Sequence, residues 1–135
     1  MAAIPVVRHL LACKKEPTMN GPDPSVHEIL YSVRPKGNFS YPVWHQPFYL
    51  FAMIADGQGL CRFHVEVRLV EWDGIELETL IGRSKHDLAD LGNEPLRIRF
   101  LTLLVPPVLL SQTGVYRIYL ICNGEEIGSE TIHAR

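Results

Sequence analysis

The alternation of apolar and polar side chains between Cys61 and Leu69 constrains the fold of this chain more than any other feature. The apolar and polar positions form two separate sets: Cys61, Phe63, Val65, Val67 and Leu69 against Arg62, His64, Glu66 and Arg68. Successive side chains of a β-strand point to opposite faces of the sheet. The period of two therefore predicts a strand with one buried face and one face in water.

Turn-forming dipeptides separate this strand from similar segments. Asn123-Gly124 lies between two apolar stretches and is the strongest hairpin signal in the chain, because both residues tolerate positive φ. Asp73-Gly74 indicates a second tight hairpin. We expect about eight strands, at residues 4–13, 26–33, 48–55, 61–72, 75–83, 96–105, 115–122 and 126–134.

Helical patterning is almost absent. Residues 86–93 are the only segment that could form a helical turn, and residues 34–47, with three prolines, indicate a long connection. A length of 135 residues suits one core. We therefore predict a single all-β domain over residues 1–135, an antiparallel immunoglobulin-like β-sandwich of about seven to eight strands with at most one short helical turn.

The charge balance gives no global field that would attract phosphates. Lys and Arg number 13 against 15 Asp and Glu, a net charge of -2, so we expect no nucleic acid partner. Apolar stretches are interrupted well short of the roughly 18 residues that a membrane helix needs. We expect no membrane partner either.

The N-terminus and the cysteines indicate a cytoplasmic protein. Arg8 and His9 interrupt what would be the apolar centre of a secretion signal. The three cysteines form no CxxC pair and no four-ligand zinc pattern. Cys61 and Cys122 are in phase with apolar neighbours, which predicts buried thiols, while Cys13 lies beside two lysines that could lower its pKa.

The segment Gly114-Val115-Tyr116 resembles the tyrosine corner that begins strand F of immunoglobulin domains. Cys61, Trp72 and Cys122 do not complete the likeness. Tyr116 lies six residues before Cys122 instead of two, and Trp72 ends the strand that Cys61 begins. The resemblance therefore implies the topology class without the disulfide.

Four segments are distinctive as a set: VVRHLLAC at residues 6–13, YLFA at 49–52, GVY at 114–116 and NGEEIG at 123–128. With them, nearly the whole chain is similar to a family of short bacterial cytoplasmic proteins of unknown function that are frequent in planctomycetes. The resemblance implies a sandwich fold. It implies no activity, and hence no catalytic residues to transfer to this chain.

Two polar constellations could carry chemistry. His64 and Glu66, two apart on one strand face, could converge on a metal, but the sequence suggests no third ligand. His86-Asp87 beside Ser84 superficially suggests a hydrolase, yet adjacent residues cannot orient one another as a triad does. We expect a solvated polar face, no catalytic or metal residues, and no cofactor.

Apolar connections are the remaining candidates for function. Six of their residues could form an interaction surface or could plug the ends of the sandwich: Phe39, Tyr41, Trp44, Val108, Leu109 and Leu110. The leading hypothesis is a non-catalytic protein-interaction or structural accessory module that binds a protein partner or self-associates. The alternative is a small-ligand-binding or metal-dependent enzyme using His64 and Glu66.

Overall fold

The computed structural model describes residues 2–37, 40–94 and 96–135, which form thirteen β-strands and no helix. None of these residues therefore belongs to a helix long and apolar enough to cross a membrane. The strands are β1 (Val6–Cys13), β2 (Thr18–Asn20), β3 (Asp23–Ser25), β4 (Ser32–Val33), β5 (Val43–His45), β6 (Phe48–Ala55), β7 (Leu60–Trp72), β8 (Ile75–Arg83), β9 (Asp87–Asp90), β10 (Arg99–Val105), β11 (Val108–Leu110), β12 (Gly114–Cys122) and β13 (Glu125–Ala134).

The larger sheet has the strand order β4-β13-β12-β7-β8, and β9 pairs with the beginning of β7. Strand β7 is long enough to take two partners on the same edge: Leu60 to Phe63 pair with β9, and Glu66 to Trp72 pair with β8. All pairs in this sheet are antiparallel except β4 with β13.

The smaller sheet has the order β1-β6-β10, with both outer strands antiparallel to β6. Most of β6 is buried, as expected of a central strand with a continuous apolar sequence. A ribbon formed by β5 and β11 and a small hairpin formed by β2 and β3 complete the structure. The two main sheets enclose one apolar cluster, so the fold is an all-β sandwich, as predicted.

The alternation along β7 is confirmed. Its five apolar residues from Cys61 to Leu69 are at most 4% exposed, and Arg62 on the other face is exposed. His64 is an exception on the outer face, since it is only 9% exposed. Strand β7 therefore supplies the core with one face and a candidate site with the other.

The tyrosine corner is also present. Tyr116 is fully buried, and its Oη donates a hydrogen bond of 2.7 Å to the carbonyl oxygen of Gln112. The link joins the start of β12 to the connection that precedes it, which is the role of this motif in immunoglobulin domains.

Residues 26–33 do not form the predicted strand. Glu28 has a φ of 52°, which interrupts an extended chain, and only Ser32–Val33 pairs with β13. The predicted buried face is also wrong, because Tyr31 is 68% exposed while Leu30 is buried. The residues between the first two predicted strands contain the β2–β3 hairpin.

Two further predictions at chain connections are wrong. The proposed helical turn at residues 86–93 contains β9, whose pairing with β7 outweighs a weak local helical pattern. Strand β10 begins at Arg99, the first residue that pairs with β6, and not at residue 96. Leu96 and Ile98 consequently lie outside the strand and are 85% and 53% exposed.

Candidate functional site

An open cleft of about 500 Å³ lies on the outer face of the larger sheet. Strands β7 and β9, the residues just before β9 and the β12–β13 turn enclose it. Its lining residues are Leu60, Arg62, His64, His86, Leu88, Asn123 and Gly124. We refer to it below as the cleft.

Backbone pairing positions the cleft residues. Arg62 lies opposite Leu88 of β9, so the two side chains share the outer face. On the other side, the Arg62 amide donates to Asn123 Oδ1 and the Asn123 amide donates to the Arg62 carbonyl, both at 2.9 Å. These paired hydrogen bonds fix the β12–β13 turn beside β7.

The β12–β13 turn adopts the backbone conformation that the Asn-Gly pair predicts. Asn123 has a φ of 50° and Gly124 a φ of 85°, the left-handed conformations that a two-residue hairpin requires. Since Asn123 Oδ1 already accepts a hydrogen bond, the Nδ2 amino group of this exposed side chain remains available to a ligand.

Two imidazole rings meet in the cleft. The His64 and His86 ring centroids are 4.4 Å apart, with 49° between the planes. His64 Nε2 lies 3.0 Å from Glu66 Oε2, which orients the inner ring. His86 itself is exposed, and its position over His64 explains why an outer-face histidine is buried.

A charge network occupies the adjoining part of the same face. The Arg68 guanidinium is bound by three carboxylates, with oxygens of Glu66 and Glu126 at 2.8 Å and that of Glu78 at 2.5 Å. It also lies 4.4 Å from the centre of the Tyr119 ring. Hydrogen bonding to Glu66 raises the pKa of Arg68 further, so this cation is permanently charged and fully engaged.

Opposing effects act on the Glu66 carboxyl. Burial raises its pKa, but hydrogen bonds from His64 and Arg68 together with their charges outweigh burial, and the net pKa is lowered. Glu66 is therefore an ionised carboxylate committed to its neighbours, with Arg83 at 3.9 Å as a further partner.

Arg62 differs from Arg68 in this respect. The structure gives Arg62 no ion pair with any described residue, and its guanidinium is exposed at the cleft. Lys85, next to His86, is likewise exposed without an ion pair among the described residues. The outer face thus has a neutralised region around Arg68 and an available cationic region at the cleft.

The alternative hypothesis from the sequence placed a metal at His64 and Glu66. The two side chains do converge, but on each other, and no group of three or more His, Cys, Asp or Glu suited to a metal occurs among the described residues. Ser84 is structural as well. Its buried hydroxyl accepts the Val65 amide at 2.8 Å and donates to the Lys85 carbonyl.

The six residues considered as an interaction surface separate into different environments. Val108 and Leu110 are buried and Tyr41 packs against the core, while Trp44 and Leu109, paired across β5 and β11, are 69% and 38% exposed. Phe39 lies outside the described residues. The connections thus contribute to the core with some side chains and to the surface with others.

Sequence reasoning missed the cleft as a unit. Arg62 was interpreted only as part of a wet strand face, and Asn123 and Gly124 only as a turn. His86 was considered with its chain neighbours Ser84 and Asp87, although its partner is His64 on another strand. The signal that could have found the cleft is the Asn123-Gly124 hairpin. Its turn must lie beside the strand that pairs with β12, and that strand is β7.

No protein-family model matches the chain, and no curated protein matches it. Among solved structures, the fold is similar to that of the Pseudomonas fluorescens alkylpurine DNA glycosylase AlkC bound to DNA containing an abasic site analog, with a TM-score of 0.51 and 12% identity. The match covers 97% of this chain and 30% of that chain, so this chain spans less than a third of the glycosylase's length. At this identity the likeness concerns the fold alone.

The likeness contradicts two expectations from the sequence. The fold occurs within a protein that is bound to DNA, which counts against the exclusion of nucleic acid and against the assignment to a protein-interaction or structural module with a protein partner or self-association. A net charge of -2 describes the whole surface and not any one face of it, so the charge balance by itself does not exclude a nucleic acid partner.

Proposed function

We propose that this protein binds DNA, contacting the sugar-phosphate backbone through the outer face of its larger sheet. The observation that carries the proposal is the uncompensated Arg62 guanidinium in an open cleft, on a fold that also occurs in a DNA-bound protein. Backbone contacts use arginine, lysine and amide donors and require no base-specific groups. Arg62 and Asn123 supply these donors at the cleft, and the exposed Lys85 directly precedes the cleft residue His86 in the chain.

The charge distribution on the outer face favours one position for the bound DNA backbone. The Glu78 and Glu126 carboxylates bind Arg68 but are themselves 63% and 48% exposed, so they repel phosphates from that region. The cleft end offers the available cations. The DNA backbone accordingly lies across the β9 end of the sheet, beside Arg62.

The expected affinity is that of a modest electrostatic interaction. Few uncompensated cations and a slightly negative chain favour the weak end of non-specific binding, with a Kd of about 100 μM near physiological salt. Two to three phosphate contacts give a slope of log K against log salt of about -2 to -3.

The test is fluorescence anisotropy with a labelled mixed-sequence DNA duplex at several salt concentrations. Arg62→Glu is expected to weaken binding about tenfold, since one favourable contact becomes a repulsion. Arg34→Glu is the matched control, because Arg34 is also exposed but follows β4, near the end of β13 opposite the cleft turn. No binding at low salt, or equal losses in the two variants, would refute the proposal.

A cytoplasmic location is part of the same proposal. All three cysteines are buried and free, which suits a reducing compartment. The resemblance to the bacterial family remains a prediction, which homologous sequences carrying the same segments would test.

A further inference from the structure

We propose that the cleft is a subsite for a single phosphate group, held by the Arg62 guanidinium, the Asn123 side-chain amide and the His86 ring. Assigning that phosphate to a nucleic acid backbone rests on the proposed function. The capacity of the cleft for phosphate does not.

The donors converge from three separate elements. Arg62 comes from β7, His86 from the residues before β9, and Asn123 from the β12–β13 turn, and all three line the same cavity. The guanidinium presents a planar fork of N–H groups that matches two oxygens of a phosphate. The amide and imidazole N–H groups can bind the remaining oxygens.

Two of these donors are held in place before any ligand arrives. The backbone N–H of Arg62 donates to Asn123 Oδ1 at 2.9 Å. This hydrogen bond directs the Nδ2 amino group of the Asn123 side chain away from β7. His86 rests on the ring of His64, and His64 is itself oriented by Glu66. Such preorganisation reduces the entropy lost when a ligand binds.

Two of the four carboxylates nearest the cleft are engaged elsewhere. Glu66 binds His64 and Arg68, and Asp90 Oδ1 accepts the Gly92 amide at 2.9 Å. Asp87 and Glu125 are the remaining carboxylates next to lining residues in the sequence, and both are exposed to solvent. Screening by water weakens their repulsion of a bound anion relative to the direct contacts.

The size of the cleft suits an esterified phosphate. A volume of about 500 Å³ accommodates a phosphate together with an adjoining sugar, and the opening lets the chain of a larger ligand continue. The exposed Leu60 and Leu88 at the rim offer apolar contact to that sugar.

The experiment is an NMR titration of the full chain, following the side-chain resonances of Arg62, Asn123 and His86. The ligands are inorganic phosphate, the dinucleotide thymidylyl-(3′→5′)-thymidine with one phosphodiester, and thymidine without phosphate, all at constant ionic strength. We expect saturable shifts for the two phosphate-containing ligands, with a Kd on the order of 10 mM, and none for thymidine.

Arg62→Gln is expected to weaken both phosphate-containing ligands about tenfold, while the matched variant Arg34→Gln leaves them unchanged. Both positions are exposed, and retained dispersion of the amide spectrum verifies folding. Absence of saturation up to about 100 mM phosphate, or equal behaviour of the two variants, overturns the subsite. Thymidine shifting the same resonances as the dinucleotide also overturns it.

The two proposals fail in distinguishable ways. Phosphate titration at the cleft without duplex binding refutes DNA binding and supports the subsite. Duplex binding that Arg62→Glu weakens and Arg34→Glu does not, together with no phosphate titration, refutes the subsite alone.

Discussion

Tyr116 and Gln112 are joined by a 2.7 Å hydrogen bond from the tyrosine Oη to the glutamine carbonyl oxygen, at a position where the tyrosine is fully buried. We expect Tyr116→Phe to lower the free energy of unfolding by about 1–2 kcal/mol, because the ring still fills its space while the carbonyl loses its partner. Urea denaturation measures the change. Tyr31→Phe is the control. Tyr31 is 68% exposed, so its substitution is expected to cost less than about 0.5 kcal/mol.

Gly114 precedes this corner and is constrained by both its backbone and its surroundings. Its φ is 148°, and an added Cβ would lie 2.5 Å from the Glu71 carbonyl oxygen on β7. We expect Gly114→Ala to destabilise the protein by about 3 kcal/mol. Gly21→Ala isolates the cost of positive φ, since Gly21 has a φ of 63° in open space, and should cost about 1 kcal/mol. Equal losses in thermal or urea denaturation would show that the close approach to β7 is unimportant.

Glu66 makes stability depend on pH in the acid range. Its pKa is lowered in the folded state, because hydrogen bonds from His64 and Arg68 outweigh burial. The unfolded chain therefore binds the proton more readily, and stability decreases as pH falls below about 4.3, the ordinary glutamate pKa. The contribution is fully present above that value and is lost as pH falls through the folded pKa.

Glu66→Gln tests this assignment by urea denaturation from neutral to acid pH. The variant should be less stable than the parent at neutral pH, and the difference should shrink in acid. Glu16→Gln is the control, because Glu16 is exposed and makes no ion pair with a described residue. A difference between Glu66→Gln and the parent that stays constant across this range would contradict the prediction.

Cys122 is expected to be inert in the folded protein. Burial, followed by the neighbouring Cys61 thiol, raises the pKa of Cys122 to about 12. Cys13 behaves similarly, since burial raises its pKa, contrary to the expectation that the two lysines beside it in the sequence would lower it. Iodoacetamide followed by mass spectrometry should label neither residue before unfolding. Rapid native labelling of either one would show that its strand opens readily.

The strands of the β7–β8 and β12–β13 hairpins were predictable because their sequence signals are local. Alternation along β7 and the Asn123-Gly124 turn are properties of neighbouring residues, and both are confirmed. Segments whose state depends on a distant partner were not predictable. Residues 87–90 form a strand only because β7 extends far enough beyond β8 to pair with them.

The candidate site illustrates the same limit. Arg62 was correctly placed on the outer face, yet nothing near it in the sequence indicates that it escapes the carboxylates that bind Arg68. Two of the three carboxylates on Arg68 come from other strands: Glu78 lies on β8, and Glu126, which is 58 positions from Arg68, reaches it across β12. Ion pairing on a sheet is decided by strand order and register, which composition does not contain.

The amino-acid sequence alone determined that this chain forms antiparallel strands and which side of β7 faces the core, because side-chain alternation is fixed by the geometry of an extended backbone. Only the tertiary structure decided that Arg62, His86 and Asn123 share one cleft, since strand pairing brings together residues that are far apart along the chain. The physical reason is that hydrophobic burial selects a face locally, whereas the neighbours on the opposite face are set by the order in which strands assemble.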